Sequence, residues 1–313
     1  MKIGVHRCRS SVRSNAARYR SSFADWNRFG QWFWNLVRKQ FESSDALKAK
    51  VAELTEGKKE PLDKIRAIYR FVVRDIHYQA ETSFNIHGWK PYKASTVLER
   101  KNGDCKDKAI LFATMMREAG LKAYVALTYL EGGGRGRPDL TLPLIQHFNH
   151  AIAYVPPDDG REEMWLDLTA TEYSFEDQPP EWDRGAYSLV VGPDMAELKR
   201  IPLRSPLEPV QQFDVDVEVD EKGGATLDIH VTASAGLAWM VRQRMEAEGR
   251  RKERLENALS DHLAGCKVVD IEMPDLKDTS VNPVKWSAKA KVCLLYTSPS
   301  PRDLSTSRMP SSA

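Results

Sequence analysis

The chain contains 313 residues with a mass of 35.5 kDa, a length at which two or three domains are expected. Its 46 lysines and arginines nearly balance 44 aspartates and glutamates, and a net charge of +2 argues against nucleic acid or an anionic membrane surface as a partner. Hydrophobic residues make up 42% and charged residues 29%, as in ordinary globular domains, and no apolar run approaches the roughly 20 residues of a membrane-spanning helix.

The N-terminal region has two parts. Residues 1–22 are basic and have no apolar core, so we interpret them as disordered or as a miscalled start rather than as a secretory signal. Residues 23–58 are predicted to be a helical linker segment that contains an aromatic helix and then a polar one. We favour docking of the aromatic face on the following domain over a position on a membrane surface.

A core domain is predicted over residues 59–195. A helix begins at Pro61, and the loop that follows it is rich in Gly and Pro, which leaves little room for regular structure. The next helix begins at Cys105, directly after the helix-starting residues 102–104, and ends at Gly120. Three strands are then predicted at 121–130, 147–155 and 163–169.

A second, β-rich domain is predicted over residues 209–292. It opens with a strictly alternating hairpin and continues with a long charged helix, roughly 236–263, and two further strands before it is cut short. Residues 293–313 are rich in Ser, Pro and Arg. A natural disordered tail has this composition, but the stretch resembles a translated sequencing adapter, and we exclude it from the fold.

The four cysteines are Cys8, Cys105, Cys266 and Cys293, and their spacing matches neither a zinc ribbon nor a disulfide framework. A free cysteine is most often a small, inert buried residue. Cys105 differs because it lies in the first turn of a helix, where unpaired N–H groups and the macrodipole favour a thiolate.

The predicted strand hairpin brings a histidine to an acid. If strands 147–155 and 163–169 pair around a turn centred near residue 159, His150 and Asp167 are cross-strand neighbours on one face. Singly, His150 is best interpreted as a core histidine and Asp167 as a strand-end carboxylate. Together, and downstream of Cys105, they suggest a base whose tautomer and charge are fixed by a carboxylate.

The motifs "GDCKDKAILFATMMREAGL", "FNHAIAYV" and "WLDLTATE" resemble those of the transglutaminase-like superfamily. The resemblance covers about residues 60–175, and "HGWKPYKASTVLERKNGDCKDKA" is its most specific stretch. It implies a papain-type helix against an antiparallel sheet, with Cys105 as nucleophile, His150 as general base and acid, and Asp167 as the residue that orients the histidine.

More narrowly, the chain looks like bacterial proteins in which such a core lies between two β-rich domains of unknown function. This layout implies a β-domain upstream of Phe23, which the sequence lacks, and makes the domain from 209 the downstream partner. It also suggests the cell envelope or periplasm.

The roles of two further residues, Trp89 and His147, also need consideration. Trp89 is a candidate side-chain donor to the oxyanion, since transglutaminases use a tryptophan upstream of the cysteine, but its spacing favours packing. His147 lies on the face opposite His150 if the strand is regular. A zinc site built from Cys105, His147 and His150 is excluded for the same reason.

We therefore predict an α+β fold that performs acyl transfer at an amide bond through a Cys105 thioester. Hydrolysis of a peptide or isopeptide bond is favoured over protein crosslinking, and the expected partner is a protein or peptide substrate, with no cofactor and no metal. The alternative is a non-catalytic binding or scaffold module with the same fold. The oligomeric state and the substrate stay open.

Overall fold

The structure is a computed structural model that describes residues 21–80, 88–130, 140–158, 160–193, 195–203, 207, 209–263 and 265–293. The chain divides into two compact units, Met1–Pro206 and Leu207–Ala313. Helices pack with a five-stranded antiparallel sheet in the first unit, and the predicted α+β class is confirmed. The predictions for residues 1–20 and 294–313 lie outside the described residues.

The first unit begins with three helices: α1 (Trp26–Val37), α2 (Asp45–Thr55) and α3 (Pro61–Asp75). Helix α1 buries one stripe, formed by Phe29, Phe33 and Val37, and a 3-10 turn, Arg38–Gln40, follows it. Asp25 caps α1 and Ser44 caps α2 by accepting a backbone hydrogen bond from the first turn. The aromatic face of α1 therefore belongs to the core of this unit.

The segment before the cysteine helix contains a helix that the sequence analysis missed. Helix α4 (Ala94–Arg100) is only seven residues long, and it ends at Lys101 in the left-handed conformation with φ of 56°. It buries Ala94, Val97 and Leu98 against the core. So short a helix is stabilised by this tertiary packing, which a local pattern does not show.

Helix α5 (Cys105–Glu118) is the central element of the unit, and the prediction that it begins at Cys105 is correct. Gly120 follows with φ of +75°, a conformation that favours glycine and ends the helix. Eleven residues from Lys106 to Met116 are buried all round the helix. Such a helix is enclosed by its neighbours, which are α2, α3 and α4 on one side and the sheet on the other.

A five-stranded antiparallel sheet covers α5 in the order β5-β4-β3-β6-β7. The three predicted strands are shorter than expected, and the last two strands were not predicted. Their bounds are β3 (Tyr124–Thr128), β4 (His150–Val155), β5 (Met164–Leu166), β6 (Tyr187–Val191) and β7 (Ala196–Arg200). A separate parallel pair joins β1 (His77–Tyr78) to β2 (Asn102–Gly103), next to the start of α5.

The second unit is a four-stranded antiparallel sheet in the order β10-β11-β9-β8, with two helices. Its strands are β8 (Gln211–Val219), β9 (Ala225–Ala233), β10 (Lys267–Glu272) and β11 (Val284–Val292). The prediction of a single long helix over 236–263 is wrong. The chain instead forms α6 (Ala235–Met245), a 3-10 turn and α7 (Arg251–Ser260).

None of the helices in the described parts of the chain combines the length and apolar character that a membrane crossing requires.

Candidate active site

Cys105 is the first residue of α5, and its position is fixed by a reciprocal cap. The Asp104 carboxylate accepts a hydrogen bond from the Asp107 N–H at 3.2 Å, and the Asp107 carboxylate accepts one from the Asp104 N–H at 3.1 Å. Asp107 also accepts a hydrogen bond of 2.7 Å from the Tyr92 N–H, which ties the loop before α4 to the start of α5. The partly exposed thiol therefore sits on a rigid helix terminus.

Gly103 allows this tight start. A Cβ at Gly103 would lie 2.7 Å from the Asp107 Cβ, so a larger residue would push the capping carboxylate aside. The pKa of Asp107 is raised to about 6 because the carboxyl group is buried and lies near the negative charge of Asp104. Lys106 forms an ion pair with Asp104 and partly offsets that charge.

His150 is the first residue of β4, and its imidazole lies between the thiol and an acid. Its Nε2 atom is 3.2 Å from Asp167 Oδ1, and His150 and Cys105 line the same cleft. The His150 side chain is 4% exposed and the Asp167 side chain is fully buried. The structure thus brings together the three residues predicted from the sequence.

The predicted strand register is wrong by two residues. Strand β4 pairs with β5 so that Ala153 opposes Leu166 and Val155 opposes Met164, and β5 ends one residue before Asp167. His150 and Asp167 are therefore diagonal neighbours instead of opposite ones. A shift of two residues keeps each side chain on the same face of the sheet, and diagonal neighbours remain within reach of long side chains.

The charges of His150 and Asp167 support each other. Burial alone would lower the pKa of His150, but the Asp167 carboxylate and the hydrogen bonds to Asp167 and Cys105 raise it well above the usual value. Burial would likewise raise the pKa of Asp167, but the imidazolium of His150 and the donors of Thr169 hold it well below its usual range. The site thus favours an imidazolium–carboxylate pair.

Asp167 is held by residues outside the three. Its Oδ1 accepts hydrogen bonds from the Thr169 N–H at 2.8 Å and the Thr169 hydroxyl at 2.7 Å. Its Oδ2 accepts one from Trp182 Nε1 at 3.1 Å, and its backbone N–H donates to Gln178 Oε1 at 2.9 Å. Gln178 in turn donates to the hydroxyl of Tyr69 at 2.6 Å, on α3. These bonds fix the carboxylate in a buried position.

A cleft of about 210 Å³ opens beside Cys105 and His150. Trp89 lines it, with its ring edge-on to Phe33 at a centroid distance of 6.5 Å. The remaining lining is mostly apolar and includes Leu127 and Phe148. Trp89 therefore borders the cleft and also packs against α1.

His147 does not join the site. It lies in a 3-10 turn, Ile145–His147, before β4, and its Nε2 contacts the Leu142 carbonyl oxygen at 3.1 Å. In the described part of the chain, the one trio of His, Cys or acidic side chains close enough to share a metal ion is His150, Asp167 and Asp183. The donors to Asp167 occupy the oxygen atoms that a metal would need, so we assign no metal there.

Lys108 is an unexpected buried charge beneath the site. Its ammonium group is fully buried, and it donates to the carbonyl oxygens of Ile76 at 2.9 Å and Val73 at 3.3 Å. Burial lowers its pKa to about 8, although the charge of Asp167 acts in the opposite direction. The lysine satisfies carbonyl groups at the end of α3 and joins that helix to α5.

Gln178, Trp182 and Asp183 were not predicted from the sequence to lie near the site. All three lie in an irregular segment between β5 and β6, where no periodicity marks an element. A tryptophan directly after Pro179 and Pro180 was the available signal, since a large aromatic residue in an irregular segment needs something to pack on. The ring of Trp182 in fact packs edge-on against Tyr173 at 5.1 Å.

Residues 48–169 match the family model of the transglutaminase-like superfamily. The solved structures that resemble the chain include a proposed protease from Parabacteroides distasonis ATCC 8503, with 10% identity, a TM-score of 0.44 and coverage of 90% of this chain and 55% of that one. Another is a proposed cysteine protease from Cytophaga hutchinsonii, with 17% identity, a TM-score of 0.30 and coverage of 42% and 41%.

The chain thus spans about half the length, or less, of these solved structures. A comparison with curated proteins gave no match.

Proposed function

Residues 48–169 belong to the transglutaminase-like superfamily, and we propose that the chain is a cysteine-dependent enzyme that cleaves amide bonds through a Cys105 thioester. One observation carries the proposal. Cys105, His150 and Asp167 form a continuous chain of contacts from a helix terminus at a cleft to a buried carboxylate. Such an order supplies a nucleophile, a base and a group that orients the base.

The first half of the reaction forms the thioester. His150 holds the proton of the thiol as an imidazolium, and the Cys105 sulfur attacks the carbonyl carbon of the substrate amide. The backbone N–H of Cys105 has no intrahelical acceptor because it opens α5, so it can donate to the oxyanion. When the C–N bond breaks, the imidazolium of His150 gives its proton to the departing amine.

The second half releases the acyl group. His150 takes a proton from water, the resulting hydroxide attacks the thioester carbonyl, and the sulfur leaves as a thiolate that regains a proton. If an amine attacks instead of water, the product is a crosslink, and the chemistry before this step is the same. We propose hydrolysis as the main outcome and a protein or peptide as the substrate.

The alternative function is that of a non-catalytic binding module. Its physical weakness is the arrangement of charges in the site. Burying an imidazolium and a carboxylate costs free energy of desolvation that well-packed apolar residues would avoid. A scaffold has no use for that arrangement, whereas a base that must carry a proton does.

The reactivity of Cys105 towards iodoacetamide tests the proposal without a known substrate. We expect Cys105 to be alkylated at pH 6 at least about tenfold faster than the exposed Cys293, because the helix terminus and imidazolium favour the thiolate. His150→Ala should remove most of this advantage, and Asp167→Asn should weaken it. Site-resolved mass spectrometry measures the rate of alkylation at each of Cys105, Cys266 and Cys293 in one sample.

Exposed Cys293 and buried Cys266 act as internal controls, and a cooperative melt confirms that each variant is folded. A Cys105 that follows the same pH profile as Cys293 in a folded protein would contradict catalysis and support the binding module. With casein and a fluorescent primary amine, hydrolysis produces new peptide termini, whereas crosslinking incorporates the amine. Neither product should form with Cys105→Ala.

A further inference from the structure

Asp183 is a buried acid that the proposed reaction does not use. Its side chain is completely inaccessible, and among the described residues no N–H or O–H group donates to either of its carboxyl oxygens. An ionised carboxylate without donors is very costly to bury, so such a group takes up a proton or finds a counter-charge. The surroundings of Asp183 decide which of these applies.

The nearest group is the Asp167 carboxylate. Asp183, Asp167 and His150 each place one polar atom within 4.8 Å of the others, so the two carboxyl groups act on each other's charge. Two carboxylates cannot both remain charged at this distance in a buried site, so one of them must hold a proton.

The donors determine which acid is protonated. Asp167 receives two hydrogen bonds from Thr169 and one from Trp182, and it contacts the imidazole of His150. Arg184, the cation next to Asp183 in the chain, is directed to Asp177 and to the carbonyl oxygen of Pro179. The stabilised carboxylate is therefore Asp167, and the proton belongs to Asp183.

We propose that Asp183 is protonated at neutral pH and donates its O–H to the Asp167 carboxylate, as a positioning residue for the base His150. The hydrogen bond fixes the carboxylate and draws part of its negative charge away from the imidazole. His150 is then held as an imidazolium less tightly than Asp167 alone would hold it, and it can still release its proton to a departing amine.

The turn that carries Asp183 suits this role. The Asp183 N–H donates to the Pro180 carbonyl oxygen at 3.1 Å, and its own carbonyl oxygen accepts from the Ala186 N–H at 3.2 Å. Its neighbour Trp182 donates to Asp167 from the same turn. The pKa of Asp183 is accordingly raised well above its usual value by burial and then by the charge of Asp167.

Two substitutions separate the proposed neutral donor from an ionised acid. Asp183→Asn keeps the shape and an N–H donor but cannot ionise, and Asp183→Leu has a similar size and no donor. The readout is the pH midpoint of the His150 imidazole in protein labelled with nitrogen-15 histidine, followed by NMR and assigned with His150→Gln. The other titratable groups that act on the pair include Cys105, Lys108, Tyr69, Tyr78 and Arg184.

We expect Asp183→Leu to move the midpoint of His150 to higher pH by about half a pH unit, because Asp167 then acts on the imidazole with its full charge. Asp183→Asn should leave it close to that of the wild type. If Asp183 were ionised, both substitutions would remove a negative charge and lower the midpoint. A fall in both variants, an equal rise in both or no change in either would overturn the proposal.

Infrared spectroscopy observes the proton directly. The wild-type protein at pH 7 should show the C=O stretch of a protonated carboxylic acid, and Asp183→Asn should lose it. Asp177→Asn, which removes a second buried acid of the same segment, should keep the band. Absence of the band in the wild type, or one bound zinc per chain that Asp183→Asn abolishes, would also overturn the proposal.

The inference rests on the proposed role of His150, but both measurements are made without substrate. The two proposals can therefore fail separately. An unreactive Cys105 would contradict the proposed function, whereas a His150 titration that both Asp183 substitutions leave unchanged would contradict the role of Asp183.

Discussion

At the scale of single residues, the charge of His150 depends on the thiol on one side and on Asp167 on the other. The folded-state pKa of His150 lies above its ordinary value of 6.5. Its contribution to the free energy of unfolding is therefore fully present below pH 6.5 and is lost as the pH rises through the folded-state pKa. The pKa of Asp167 is lowered from 3.8, so its contribution is present above that pH and is lost as the pH falls.

We therefore expect Asp167→Asn to destabilise the protein most between about pH 4 and 6.5, where both contributions are complete. The loss in free energy of unfolding should be about 3 kcal/mol, as for removal of one partner of a buried ion pair. It should shrink at lower pH and at alkaline pH. Urea unfolding at a series of pH values, followed by tryptophan fluorescence, measures this difference.

The second unit offers a matched control. Its His230 and Asp228 form an exposed pair at 3.7 Å on the sheet surface. Asp228→Asn should change the unfolding free energy by less than about 1 kcal/mol, because water screens the pair. A destabilisation by Asp167→Asn that does not vary with pH would show that the carboxylate acts through packing alone.

At the scale of elements, the start of α5 decides where the thiol lies. The capping acids Asp104 and Asp107 satisfy N–H groups in the first turn, and Asp107 also binds the Tyr92 N–H of the preceding loop. A frayed first turn would move Cys105 relative to His150. The helix terminus thus supports both stability and the proposed chemistry.

Asp107→Ala should therefore lower the free energy of unfolding by about 2 kcal/mol, since it leaves the buried Asp104 N–H and the partly buried Tyr92 N–H without an acceptor. The alkylation of Cys105 should slow as the first turn loosens. The matched control is Asp63→Ala, which removes an exposed acid from the first turn of α3 and should cost less than about 1 kcal/mol. Equal effects of the two substitutions on Cys105 would contradict a local role for the cap.

At the scale of the whole molecule, each of the two compact units has a hydrophobic core of its own. Leu111 is fully buried in the core of the first unit, and Ile229 is 5% exposed in the core of the second. Apolar burial of this kind is the main source of stability in a domain. Separate cores therefore imply separate unfolding.

Differential scanning calorimetry should resolve two transitions. Leu111→Ala and Ile229→Ala should each lower the stability of their own unit by about 3 kcal/mol, because each leaves a cavity in a packed core. Each substitution should shift one transition and leave the other in place. A single transition that both substitutions shift would show that the units unfold cooperatively.

Features that depend on near neighbours in the chain could be predicted from the sequence. The start of α5 at Cys105 could be predicted because a helix cap is formed by adjacent residues. The same holds for the hairpin β8–β9, whose alternation has a local period of two. Cys105, His150 and Asp167 were predicted as site residues from such local positions together with the family resemblance, and their catalytic roles stay a prediction.

The alignment of the strands and the surroundings of Asp167 depend on contacts between segments that are distant in the chain. The β4–β5 register differs by two residues from the prediction, and the same register continues into the turn, where Asp158 bridges Arg161. Alternation does not reveal this difference, because a shift of two residues leaves every side chain on the same face. Asp183 places a carboxyl oxygen within 4.8 Å of Asp167 from 16 positions away, through a segment with no α-helix or strand. The proton it is proposed to hold depends on burial and on the donors of other segments, which are properties of the folded chain and not of any local pattern.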